Sequence, residues 1–293
     1  MPPGILPDCI RSYSCSILAI MSCSIFLLSI TIVSAQTSPP DKQTIFSMTD
    51  GMSLILGGEY KIGLIPEKGL KECQKYFDRC RIFTFQEEGP ERLVSVSDFY
   101  IDKYEVTQKE FESVMGINPS EFLGENLPVE RVHWKQANDY CEKISKRLPT
   151  EAEWEIAAKG GESYLYPWGN DMKSGKANLC DKNCILDTHT GQFNDEAIFT
   201  TPVGSYPPNG YNLYDMSGNV WEWVSDWYTE NYYQVAPSKD PAGPHFGFLK
   251  MIRGGSWINA PDFLRSSFRN WSDPAAQTGY FGFRCALSTP RKK

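Results

Sequence analysis

Residues 218–228, GNVWEWVSDWY, set Trp221, Trp223 and Trp227 among Glu222 and Asp226. Tryptophans at this spacing match neither a clean helix stripe nor a clean strand face. The segment therefore reads as irregular backbone that gathers large aromatics and carboxylates in one place. What such a segment would be built to hold is decided by the rest of the chain.

The chain has 293 residues, enough for one large domain or two small ones, and 41% of them are apolar. Its 23 glycines and 20 prolines point to a loop-rich fold. The net charge is -7, with both signs well mixed. That argues against nucleic acid, whose phosphates need a basic face, and against a polybasic membrane anchor. At the N-terminus, Arg11 precedes the apolar run SILAIMSCSIFLLSITIV, which ends at Val33-Ser34-Ala35 before Gln36. This is the layout of a secretory signal peptide over residues 1–35, implying a secreted or periplasmic protein. An uncleaved anchor is the alternative, and the serines in the run weigh against it. Residues 36–49, with Pro39-Pro40, read as a linker.

Export changes the meaning of the cysteines. Of nine, Cys9, Cys15 and Cys23 lie in the signal. Six remain, an even number that suggests three bridges in an oxidising compartment. Close spacing favours Cys73 with Cys80 and Cys180 with Cys184, which leaves Cys141 and Cys285. Spacing alone does not settle the connectivity. There is no CxxC pair, and His133, His189 and His245 are scattered, so a cysteine–histidine metal site is disfavoured.

Three helices announce themselves. Thr107 with Glu110 and Thr150 with Glu153 are capping boxes. Residues 133–144 place Trp134, Ala137, Tyr140, Cys141 and Ile144 on one helical stripe, and Gly160-Gly161 closes the helix that begins after Thr150. LVSVSDFYI (93–101), FLKMI (248–252) and YFGFRCAL (280–287) are strand-like. After residue 161 helical signals stop, leaving a long stretch of Gly, Pro, Asn and aromatics. Bridges and a hard cation are the ordinary substitutes for ladders in such a stretch.

Several blocks, in order, resemble the sulfatase-modifying factor family, whose named member is the formylglycine-generating enzyme. They are VTQKEF (106–111), PVERVHW (128–134), KRLPTEAEWEIAAKGG (146–161), YPWGN (166–170), PVGSYPPNGYNLYDMSGNVWEWVSDWY (202–228), RGGSW (253–257) and GFRCA (282–286). The resemblance covers a domain over residues 50–290. It implies an α+β fold related to the C-type lectin fold, low in regular structure, with three short helices in its N-terminal half. It also implies structural calcium. One ion would be held by Asp215 and Glu222 through side chains and by Gly218 and Val220 through carbonyls. A second would be held by Asn178 and Asp195 with the carbonyls of Leu179 and Ala197. Calcium takes about six to eight oxygens and accepts carboxylates, amides and carbonyls, which a loop can turn inward. Without the resemblance, Asp215 and Glu222 would read as plain surface acids. The resemblance further pairs Cys141 with Cys285.

The family's enzyme oxidises a cysteine of an unfolded sulfatase to formylglycine, using two cysteine thiolates after the RGGSW-type block to bind copper and activate oxygen. Soft thiolates suit Cu(I), so the chemistry needs cysteine there. Here the first such position is Asn259, and no cysteine falls between Trp257 and Arg284. Copper is not expected. Ser256 and Trp221 keep their family positions as the remnant of a cleft. Asp262 and Arg265 nearby read as a structural ion pair rather than an acid–base dyad. The leading expectation is a binding or accessory module that recognises an exported protein or peptide. The alternative is an enzyme of the family with a different, non-cysteine site. An oxidase drawing its metal from Cys180 and Cys184 ranks below both. The oligomeric state is not legible.

Overall fold

The computed structural model describes residues 49–78, 80–186 and 191–289, so the segment expected to be a signal peptide (1–35) and all but the last residue of the expected linker (36–49) lie outside the described residues. The elements run β1 (Met52–Ile55), β2 (Gly58–Ile62), α1 (Pro66–Cys73), β3 (Arg92–Val96), β4 (Phe99–Asp102), α2 (Gln108–Met115), α3 (Trp134–Lys143), α4 (Glu151–Lys159), β5 (Trp221–Trp227), α5 (Tyr232–Val235), β6 (Lys250–Arg253), β7 (Asn270–Ser272), β8 (Phe281–Gly282) and β9 (Ala286–Ser288). Two 3-10 turns, Ile82–Glu88 and Pro261–Phe263, complete the α+β set. Among the described residues three sheets form, ordered β1-β4-β9, β2-β3 and β7-β6-β5-β8.

The predicted helix starts are present. Thr107 and Thr150 each accept the backbone N–H of the glutamate three residues on, and each glutamate accepts the threonine's own N–H in return. His133 and Gln136 form a third capping box ahead of α3. Gly160, at φ 64°, ends α4 in the left-handed region, as a helix C-terminus prefers. The N-terminal half also holds α1, which the sequence reading missed. Its start carries no side-chain cap, only Pro66 at the first turn. What fixes it is the Cys73–Cys80 bridge and burial of Cys73, Leu64 and Phe85 in one cluster.

The opening segment is not irregular. β5 is a seven-residue interior strand, antiparallel to β6 and parallel to β8. A register shift between Trp223 and Trp227 marks a bulge. A strand covered on both faces loses the simple apolar–polar alternation, and a bulge disturbs it further. Trp221 and Trp223 join Phe111, Ala137, Tyr140 and Phe283 in one hydrophobic cluster, while Val224 joins Trp154, Ile156 and Met251 in another. Each tryptophan has a distinct task. Trp221 packs on Phe268, and Trp223 packs on Phe281 while its indole N–H donates to the Val132 carbonyl. Trp227 and Trp134 enclose the Lys250 Nζ, 3.8 Å from each ring centroid.

The carboxylates between the tryptophans also have partners, although Asp226 Oδ1 is buried without one. Glu222 receives Arg284 Nη2 at 2.7 Å and Nε at 2.8 Å, with the Trp154 indole at 2.8 Å. Arg284 reaches on to the carbonyls of Asp102, Lys103 and Tyr214. Asp226 Oδ2 accepts the Glu151 N–H at the start of α4, a helix end that favours negative charge. Three further arginines repeat the pattern: Arg253 on Glu155, Arg265 on Glu88 and Arg269 on Glu151, all with side chains at most 2% exposed.

Between α4 and β5 the described residues hold no helix or strand. Side chains organise this loop instead. Asn209 donates to the carbonyls of Ala157 and Ala158 at the end of α4 and accepts from the N–H groups of Tyr211 and Leu213. Asn219 accepts the Thr201 N–H and donates to Glu105. The Cys180–Cys184 and Cys141–Cys285 bridges are both formed. The second spans 144 residues and stabilises by roughly 5 kcal/mol in the chain-entropy model.

Two predictions follow from this interior. Replacing Arg284 with methionine leaves Glu222 charged and buried, which costs about 3–5 kcal/mol; the midpoint of urea unfolding should fall accordingly, and an unchanged midpoint would remove the pair from the account. Burial, then the Glu151 charge, lifts the Asp226 carboxyl from 3.8 to about 7. The folded protein therefore binds an extra proton at Asp226 between those values, so this group's contribution to stability is full below pH 3.8 and is lost as pH rises to about 7. An Asp226→Asn variant should flatten that decline; a decline equal to the parent's would assign it to other groups.

Candidate functional site

The RGGSW turn leaves β6 through Gly254 and Gly255, both at positive φ. A Cβ on Gly255 would lie 2.9 Å from Leu264, so the turn demands glycine for space as well as for conformation. Ser256 follows, fully buried. Its hydroxyl donates to Asn259 Oδ1 at 2.7 Å and its N–H donates to the same oxygen at 3.1 Å. The Asn259 carbonyl in turn accepts the Cys180 N–H at 2.9 Å. Asn259 thus locks the turn and ties it to the Cys180–Cys184 loop. Trp221, the other cleft residue, is 2% exposed, with its ring against Phe268.

Other polar groups along 256–271 are equally committed. The hydrogen-bonded partner of Arg265 is Glu88, at 2.6 Å, and the Asp262 charge adds to the field that stabilises the guanidinium. Arg269 holds Glu151 at 2.7 Å. Glu88 is 177 residues away in sequence and Glu151 is 118, so neither partner could be guessed from local spacing. Cys180 and Cys184 are joined to each other, which removes the thiolates that an oxidase at that loop would need.

The two residue sets implied to hold cations meet back to back. Asn219 N–H donates to the Asn178 carbonyl at 3.0 Å, and Asn178 Nδ2 donates to Asn219 Oδ1 at 3.2 Å. A Cβ on Gly218 would lie 2.1 Å from that Asn178 carbonyl, so the contact excludes any side chain at 218. In the first set, Asp195 accepts the N–H groups of Leu179 and Ala197 at 2.7 and 2.9 Å. Asp181, fully buried, sits beside it and was not foreseen; the Cys180–Cys184 loop carries it there. Burial foremost, with the Asp181 charge adding to it, pushes the Asp195 carboxyl up to about 6.

In the second set, Asp215 is 7% exposed and Glu222 is 1% exposed, so neither is a surface acid. Asp215 Oδ2 accepts the Gly204 N–H, while its Oδ1 is buried without a hydrogen-bond partner. Burial raises Asp215 to about 6 and, joined by the charges of Asp215 and Glu222, lifts Glu105 well above the carboxylate range. The orphaned Oδ1 fits a cation ligand. Glu222 does not need one, because Arg284 and Trp154 already occupy its oxygens. Among the described residues no three side chains of His, Cys, Asp and Glu converge as a metal cage, so a hard cation here would draw on carbonyls and amides.

Beside the Ser256 turn lies an aromatic face. The rings of Phe122 and Phe199 stack at 4.4 Å, and Trp257 meets both edge-on. Leu123 and Ile198, next to them in sequence, are 75% and 51% exposed. Chemically, the region offers apolar contact and backbone polarity rather than a nucleophile–base pair.

A sequence family described as sulfatase-modifying factor enzyme 1-like domain matches residues 36–289. The chain is 32% identical over 283 residues to the serine/threonine-protein kinase pkn1 of Chlamydia pneumoniae, covering 87% of this chain and 40% of that protein. It is 41% identical over 165 residues to the formylglycine-generating enzyme of Streptomyces coelicolor, covering 55% of this chain and 52% of that protein. The matches thus span about half the length of these relatives, or less. Among solved structures, Treponema denticola variable protein 1 superposes with a TM-score of 0.66 at 26% identity, over 81% of this chain and 95% of that one. With the α+β architecture and the RGGSW turn already in place, this chain belongs to the sulfatase-modifying factor family.

Proposed function

We propose that this chain is an exported binding or accessory member of the family, stabilised by calcium, that does not convert cysteine to formylglycine with copper. The observation that carries the reading is the state of its sulfur. All six cysteines after the signal segment are bridged, and the family's first thiolate position is Asn259, whose amide oxygen takes both donors of Ser256. A site that needs two soft thiolates has none to offer. The face of Phe122, Phe199 and Trp257, flanked by exposed Leu123 and Ile198, supports recognition of an exported protein or peptide through apolar side chains. For calcium, Asp195, Asn178 and the carbonyls of Leu179 and Ala197 would hold one ion, with Asp181 adding a second carboxylate. Asp215 and the carbonyls of Gly218 and Val220 would hold the other, and Glu222 would serve chiefly as the partner of Arg284. Bound there, the ions supply fixed positive charge to buried carboxylates.

Incubating the protein with a Cys-x-Pro-x-Arg peptide, Cu(I) and oxygen should leave the peptide mass unchanged. Appearance of the aldehyde product would overturn the assignment. Chelation with EGTA should lower the melting temperature, and Asp195→Ala and Asp215→Ala should each blunt that response. A chelator-insensitive parent would remove calcium.

A further inference from the structure

A cavity of about 500 Å³ lies between the disulfide-stapled segment 73–88 and the segment 262–271. It is independent of Asn259, of the Phe122 face and of the residues assigned to calcium. Its apolar wall is made by Phe77, Phe83, Phe263, Phe268 and Trp271, with the Cys73–Cys80 bridge beside them. Phe83 and Trp271 are 65% and 44% exposed, so aromatic faces stand open to solvent at its mouth.

The charges around the cavity do not cancel group by group. Arg265 is neutralised by Glu88, which also accepts the Ser267 hydroxyl, and Arg269 is neutralised by Glu151. Glu87 is different. Its Oε2 accepts the Tyr228 hydroxyl at 2.8 Å, a neutral donor that leaves the negative charge in place. The Tyr228 ring lies 5.5 Å from that of Trp271, so Tyr228 links two residues that line the cavity, Glu87 through its hydroxyl and Trp271 through its ring. Open aromatic faces attract cations through their quadrupoles, and a carboxylate nearby adds to the pull. A carboxylate-bearing ligand would meet Glu87 and be repelled. The protein's charge of -7 biases encounter in the same direction.

From this we infer that the cavity is a binding site for an organic cation: an ammonium or guanidinium group carried on an apolar body, either as a free small molecule or as a basic side chain of a peptide. The apolar body occupies the space between Phe83, Phe263 and Phe268, and the cationic head sits over Trp271 within reach of Glu87. The 73–80 bridge holds one wall in place before binding, which lowers the ordering cost.

Calorimetric titration of the intact protein tests this. Phenethylammonium represents the free cation, acetyl-Phe-Lys-amide the peptide source, phenethyl alcohol the neutral shape and phenylacetate the anion. Saturable binding of either cation, with phenethyl alcohol at least about tenfold weaker, is expected; which cation binds more tightly identifies the source. Glu87→Gln keeps an acceptor for Tyr228 and should weaken the cation about tenfold without altering the neutral probe. Trp271→Ala, at a largely exposed position on edge strand β7, should weaken the cation as well. Equal binding of the alcohol and the ammonium, tighter binding of phenylacetate, no saturable binding of either cation, or a Glu87→Gln variant that binds the cation like the parent would each overturn the inference. None of these outcomes bears on the copper or chelation results, so the two readings fail separately.

Discussion

The bidentate contact between Arg284 and Glu222 is the constraint on which the rest of the molecule depends. From the turn after β8, the Arg284 guanidinium ties together β5, the end of β4 and the loop at Tyr214. Glu105 and Asp215 lie close enough to feel Glu222, so three buried carboxylates share this neighbourhood. Removing them from water is costly unless fixed positive charge and hydrogen bonds compensate. Arg284 supplies both, which is why it reaches three carbonyls as well as a carboxylate. Arg253, Arg265 and Arg269 do the same work elsewhere, so buried guanidinium groups replace much of the ladder bonding that short strands cannot provide. Arginine suits the task because its planar fork offers five donors and keeps its charge when buried.

That arrangement separates scaffold from chemistry. The RGGSW turn, its paired glycines and buried Ser256 persist as architecture. Asn259 turns the position after them into a hydrogen-bonded clasp, since one amide oxygen accepts from both the hydroxyl and the N–H of Ser256. A fold anchored by distant ion pairs can change one such position without disturbing the others. This is consistent with relatives of one architecture being put to different uses.

Local signals were legible in the sequence, and long-range ones were not. The capping boxes at Thr107 and Thr150 and the glycine stop at 160 are written within a few residues of each helix, and each appears as read. The segment 218–228 was taken as irregular because a strand buried on both faces carries no alternation, and its bulge hides the parity of the tryptophans. Helix α1 lacked a side-chain cap and was invisible for that reason. Glu88, Glu151 and Glu155 carry no local signal, because nothing near them in the chain names their arginines. Asp181 was overlooked for a related reason: the cysteines flanking it drew the reading toward sulfur. The sequence points to bridges and a hard cation for the loop between α4 and β5; Asn209 and Asn219 also organise much of it by pairing with backbone groups.

The sheet β1-β4-β9 carries a consequence for how the protein comes into being. β4, at residues 99–102, is flanked on one side by β1 and on the other by β9, at 286–288. Arg284 and Cys285 arrive in the same late stretch. Whichever compartment the chain folds in, its central strand keeps one edge bare until the last segment of the domain is free to pair. Closure by such distant segments is slow, and an open edge invites pairing with other chains. Folding should therefore depend on protection of that open edge far more than the number of short helices would suggest.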